Sequence, residues 1–195
     1  MTNKVQHSRR KFLIGVTSVV SGVGVAAMAT PFLLSMSPSA RALAAGAPIE
    51  VNVAKLAEGQ LLTATWRGKP VWIVHRSESM LAALPKNDEK LRDPSSEVIE
   101  QQPDYAKNAH RSREPKYIVL IGICTHLGCS PSYRPELSPA DLGADWNGGW
   151  YCPCHGSRFD LAGRVYKNVP AATNLVVPPY YFTNETNLLI GEDTA

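Results

Sequence analysis

Cys124-Thr125-His126-Leu127-Gly128-Cys129 and Cys152-Pro153-Cys154-His155-Gly156-Ser157 decide how this chain of 195 residues is read. Its four cysteines all lie between positions 124 and 154. Such clustering disfavours a distributed disulfide scaffold and marks one chemical site. Each segment brings one Cys and one His. Thiolates suit iron in a sulfide cluster, and two neutral imidazoles on one iron make that iron easier to reduce. Zinc also accepts two Cys and two His, but it would leave the second cysteine of each segment without a role. The pattern therefore favours an iron-sulfur centre of high potential. Gly128, Pro153 and Gly156 supply the punctuation of tight turns around it.

Outward from these loops the sequence is rich in short β-type runs: Ile49 to Val53, Leu61 to Trp66, Val71 to Val74, Tyr117 to Ile121 and Leu188 to Ile190. Gly, Pro or polar turns bound most of them, as in antiparallel sheets. Arg67-Gly68-Lys69-Pro70 reads as a hairpin turn. Ser77 to Leu84 reads as a short helix with Ser77 as its N-cap. The charged, Pro-interrupted stretch Lys86 to Glu114 reads as a surface excursion, a helix-bearing insertion in a β domain. His7, His75 and His110 have no ligand-spaced partner, so ordinary structural or surface roles are expected of them. Trp66, Trp72, Trp146 and Trp150 are expected in core or turn packing.

The net charge of +3 is unevenly placed. Residues 1 to 47 carry five Lys or Arg and no acid, which leaves 15 bases against 17 acids downstream. A nucleic-acid binder concentrates basic charge on its folded domain, so that class is disfavoured. Lys4, Arg9, Arg10 and Lys11 precede a charge-free run from Phe12 to Leu34, long enough to cross a hydrocarbon core of about 30 Å. The charge bias predicts an N-terminus in the cytoplasm and a C-terminal domain outside. Small residues at Ala40-Arg41-Ala42 and Ala42-Leu43-Ala44 offer signal-peptidase sites. The apolar run exceeds a usual signal h-region of about 7 to 15 residues, which favours a retained anchor. Pro31 is tolerable in a membrane helix. The sequence thus divides into a signal segment (1–11), a transmembrane anchor (12–34), a flexible linker (35–48) and one globular domain (49–195).

Ser8-Arg9-Arg10-Lys11-Phe12-Leu13 resembles a twin-arginine export signal, an address read for proteins exported already folded. The two cysteine loops match the Rieske pattern C-x-H-x-G-C and C-x-C-H-G-S. Resemblance extends over nearly the whole chain to the iron-sulfur subunits of bacterial cytochrome bc complexes. Four blocks carry it: the Arg9-Arg10 signal with its anchor, the Ala-rich linker, the insertion running into the first loop, and Lys167 to Tyr180. The last is similar to the family's proline loop (167–174), centred on Pro170, although this chain has Ala172 where relatives often have a second Pro.

The resemblance implies a mainly β fold: a Rieske-type antiparallel β-sandwich with a cluster-binding subdomain (loops 124–130 and 152–158) behind one transmembrane helix. It implies one 2Fe-2S cluster with Cys124 and Cys152 on one iron and His126 and His155 on the other. It further implies a Cys129–Cys154 disulfide clamping the loops, and a Ser157 hydroxyl donated to a cluster sulfur. Phe159 stands where close relatives commonly carry a Tyr hydroxyl. The expected partners are cytochrome b and a c-type cytochrome within a dimeric complex of the bacterial inner membrane. Ubiquinol is expected to meet His155, with Leu127 as a docking contact and the linker as a hinge. Ring-hydroxylating oxygenases share the ligands but typically lack the disulfide cysteines and the anchor. An arsenite oxidase small subunit is the closer alternative.

Overall fold

The computed structural model describes residues 2–193. It forms two compact units, one within the first 44 residues and one from Ala45 onward.

In the first unit, α1 (Thr2–Ser35) is a continuous helix that contains Pro31. Its apolar side chains from Phe12 onward, Val19, Val23, Met28 and Phe32 among them, are exposed. An unpartnered apolar helix of this length is built for lipid rather than water, and it is long and apolar enough to cross a membrane. The charge-free stretch alone spans about 35 Å at 1.5 Å per residue.

The stretch expected to be a flexible linker instead contains α2 (Ala40–Gly46). Ser39 caps it by accepting from the Ala42 amide at 3.2 Å. Small residues bury little, which suggested coil, but Ala has the highest helix propensity of all.

Among the described residues, the second unit is built from three three-stranded antiparallel sheets. The first joins β1 (Ile49–Asn52), β9 (Asn187–Ile190) and β8 (Tyr180–Asn184) in that spatial order. The second runs β2 (Leu61–Trp66), β3 (Lys69–His75), β4 (Tyr117–Ile121), and the third β5 (Ser132–Arg134), β6 (Gly149–Tyr151), β7 (Arg158–Asp160). Every residue of β4 is buried, as its uninterrupted Tyr-Ile-Val-Leu-Ile composition requires. Val71, Ile73, Ile118, Leu120, Trp150, Phe159, Tyr180 and Leu188 belong to one core, so all three sheets share it. The four tryptophans are buried, and Trp72 stacks on Trp150 with centroids 5.9 Å apart.

Between β2 and β3 the turn is tighter than the sequence suggested. Lys69 and Pro70 already pair with Trp66 and Thr65, leaving Arg67 and Gly68 as a two-residue loop with φ of 52° and 70°, the combination that matches strand twist. The expected helix is α3 (Glu78–Ala83), and the Ser77 side chain accepts from Met80 N–H.

The excursion from Lys86 to Glu114 is not confined to the surface. Leu91, Ser96, Gln102, Ala106 and Arg111 are buried, and three 3-10 turns shape it. Arg111 donates to the carbonyls of Ala162, Gly163 and Leu175, while Arg76 binds those of Pro115, His110 and Leu161. Burial lowers both guanidiniums to about 10, far enough above neutrality that both stay charged. Carbonyl acceptors compensate these interior cations. The charged composition of the segment therefore hides a structural core.

Candidate metal centre

The two cysteine loops are built on one plan. In the first, the Cys124 N–H donates to Cys129 O at 2.7 Å and Gly128 N–H donates to Cys124 O at 3.1 Å. In the second, Cys152 N–H donates to Ser157 O at 2.8 Å and Gly156 N–H to Cys152 O at 2.9 Å. The fifth residue of each loop must turn back with positive φ, 84° at Gly128 and 76° at Gly156, which glycine adopts without steric penalty. The same ring thus closes twice, once after β4 and once between β6 and β7.

Closing these rings sorts the donor atoms by depth. Cys124 and Cys152 carry free, buried thiols, whereas His155 is exposed and His126 half-buried. The two imidazoles lie edge to face with centroids 4.8 Å apart. Burial pushes the Cys124 thiol up; the His126 amide pulls it down, the adjacent Cys152 pushes it up again, and the Ser157 hydroxyl pulls it down. Two desolvated thiols side by side resist joint ionisation unless a cation compensates them. The second cysteines, Cys129 and Cys154, form a disulfide across the loops. Cys129, Cys152 and Cys154 lie close enough to suggest a metal triad, but two of those sulfurs are consumed by the bridge. The donors left are two buried sulfurs and two more accessible imidazoles, which fit the 2Fe-2S set and its unequal irons.

Ser157 is fully buried, and Ala171 N–H donates to its Oγ at 3.1 Å. Pro170 is exposed beside it, and Leu127 is 71% exposed at the rim. Phe159 is fully buried, paired with Trp150 in β6 and bridged to Val165. Arg9 and Arg10 lie in exposed positions on α1. His75 is held away from the site by a 2.8 Å contact of Nδ1 with Leu56 O and by stacking on Tyr117. His110 sits in the excursion, its pKa lowered by burial and by Arg76 and Arg164. Sequence reasoning missed Thr125, whose Oγ1 donates to Thr173 O at 2.6 Å, and Asn174, which anchors the far end of the same loop. Neither residue type carries a spacing signal that could have revealed it.

Two equivalent loops, a cross-loop disulfide and a third wall at 167–174 define a Rieske-type iron-sulfur domain. The description "Rieske [2Fe-2S] domain" matches residues 94–180, and "Ubiquitinol-cytochrome C reductase Fe-S subunit TAT signal" matches residues 1–39. The chain is 64% identical over 189 residues to the ubiquinol-cytochrome c reductase iron-sulfur subunit of Allochromatium vinosum, covering 97% of this chain and 91% of that protein. It is 45% identical to the corresponding subunit of Rhodospirillum rubrum, over 95% and 93% of the two chains. A solved structure titled "Hyperthermophilic respiratory Complex III" aligns over 90% of this chain and 97% of that one, with 23% identity and a TM-score of 0.50, a likeness of fold. The chain belongs to the family of ubiquinol-cytochrome c reductase iron-sulfur subunits. Its cofactor is one Rieske-type 2Fe-2S cluster, and it is a membrane-anchored subunit of a cytochrome bc complex. The arsenite oxidase alternative is not favoured.

Proposed function

We propose that Cys124 and Cys152 ligate one iron and His126 and His155 the other, and that the head takes one electron at a time from ubiquinol at cytochrome b and passes it to a c-type cytochrome. When bound, the 2Fe-2S cluster supplies a one-electron centre whose histidine-bound iron is the easier to reduce. The observation that carries this reading is the sorting of donors by depth: sulfurs buried, His155 exposed. Buried thiols keep water from the inner half of the site. Exposed His155 would present an imidazole nitrogen at the surface, where it would accept a quinol hydroxyl proton. Leu127 adds an apolar contact at the same rim.

The positive charges in the first turns of α1, before its charge-free run, favour an N-terminus in the cytoplasm and a head in the periplasm, anchored in the bacterial inner membrane. Residues 35–48 would serve as the tether on which the head moves between its electron donor and acceptor, within a dimeric complex.

The test is electron paramagnetic resonance on native membranes carrying His155→Ala or His75→Ala. The Rieske signal should vanish in the first and persist in the second, because His75 is committed to Leu56 and Tyr117. A normal signal in His155→Ala would remove that ligand from the set.

A further inference from the structure

The chain enters the head at a proline. α2 ends at Gly46 and β1 opens at Ile49, so Ala47 and Pro48 join them. The residue before a proline is driven out of the helical region, which ends α2 there. Pro48 has no N–H to add to a ladder, and the pairing of β1 with β9 starts at Ile49 with Ile190. The hold on the preceding residues comes from a side chain instead: Trp66 Nε1–H donates to Ala47 O at 3.1 Å. Among the described residues this is the one side-chain hydrogen bond made to residues 45–48. Its donor is firmly placed. Trp66 pairs with Lys69 at the end of the β2–β3 hairpin, its ring is buried, and the Arg67 guanidinium lies over that ring at 4.4 Å. Gly191, directly after β9, makes room for the indole: a Cβ there would lie 2.6 Å from Trp66 Nε1 and 3.1 Å from Pro48 Cα. The Gly191 N–H is itself committed to Pro179 O at 2.8 Å. The hairpin end, the end of the first sheet and the residues leading into β1 thus meet at one indole, whose buried N–H needs an acceptor.

We propose that Trp66 is a positioning residue for the movement of the head: it fixes the head-side end of the tether, so that Ala47 and Pro48 travel with the head and bending is confined to residues 35–46. The inference rests on the tether role proposed above and sharpens it. Freed from Trp66, those two residues would lengthen the mobile chain by about 7 Å and let the head reach its acceptor in more orientations, of which few are productive. A hydrogen bond of this kind shifts an equilibrium about fivefold. The proposed cluster ligands are left untouched.

The first test places a nitroxide on Ala47→Cys in the full-length, detergent-solubilised holoprotein. Cys124 and Cys152 are buried and Cys129 and Cys154 are bridged, so the label meets the introduced thiol. The ratio of immobilised to mobile label should fall about fivefold in Trp66→Phe, which keeps an aromatic ring and loses the N–H; an unchanged ratio overturns the proposal. The second test follows reduction of the c-type haem in native membranes. Trp66→Phe should slow it with the Rieske signal and midpoint potential unchanged. A merely structural role predicts a weaker signal at a normal rate per cluster, and that outcome also overturns the proposal. Ala42→Pro, which alters the tether and leaves Trp66 in place, separates the two readings. A slow rate there beside a normal one in Trp66→Phe refutes the inference alone, and normal rates in both refute the moving tether as well. If Trp66→Phe does not assemble, Gly191→Ala drives a Cβ into the donor and the same readouts decide.

Discussion

Replacing both bridge cysteines, as Cys129→Ala with Cys154→Ala, isolates the contribution of the clamp. The bridge spans 25 positions of chain. In the loop-closure treatment a ring of that size removes about 12 cal/mol/K from the unfolded ensemble, or about 3.5 kcal/mol at 25 °C. The packing term should be small, because Cys154 is exposed and Cys129 only half-buried, so truncation leaves no enclosed cavity. With a urea dependence of about 2 kcal/mol per molar, the unfolding midpoint should fall by roughly 1.5 to 2 M. Tryptophan fluorescence is a suitable reporter because Trp66, Trp72, Trp146 and Trp150 all lie in the second unit and are buried, leaving α1 silent. Cluster retention should shorten in parallel as the two rings separate. An unshifted midpoint in the double variant would show that the clamp does not restrain the unfolded chain, and the entropic reasoning would be wrong.

Phe159→Tyr, at a fully buried position, should raise the midpoint potential by about 30 to 60 mV if its hydroxyl reaches a ligand sulfur; an equal or lower potential in a redox titration would leave Phe159 as packing alone. Burial raises Tyr133 to about 12, while an unfolded tyrosine ionises near pH 10. Its contribution to stability is therefore complete below about pH 10 and lost as pH rises towards 12, so melting temperature should fall across that window and fall less in Tyr133→Phe. A Cβ on Gly122 would lie 2.4 Å from the Trp72 ring, and Trp72 is stacked on Trp150. Gly122→Ala should therefore cost about 1 to 3 kcal/mol, partly recovered by Trp72→Phe; thermal unfolding of the single and double variants checks this.

The candidate site was legible because the chemistry proposed for it demands rare residues at fixed spacing. Cys124, His126, Cys152 and His155 are separable from background on their own, and β2 and β4 match their apolar runs because burial and β propensity agree there. Strands β5, β6 and β7 were missed. Each holds three residues, Gly149 opens one of them, and their pairing is fixed by the rings they connect rather than by any periodicity. The excursion was misjudged for a related reason. A buried arginine that satisfies backbone carbonyls has the same composition signature as a solvated one, and only the tertiary partners of Arg111 distinguish the two. Alanine misled in the opposite direction at α2, since the residue that buries least also favours helix most.

The Cys129–Cys154 bridge has a chronology. If the head is exported folded, as proposed above, it would acquire its shape in the reducing cytoplasm, where thiols stay reduced, and the bridge would close only after the membrane had been crossed. Until then the two rings would be held by their own amide bonds, Cys124 to Cys129 and Cys152 to Ser157, and by whatever the buried thiols ligate. On that proposal the covalent link would be a seal applied at the destination, and a head stalled before export would carry the same fold with the seal still open.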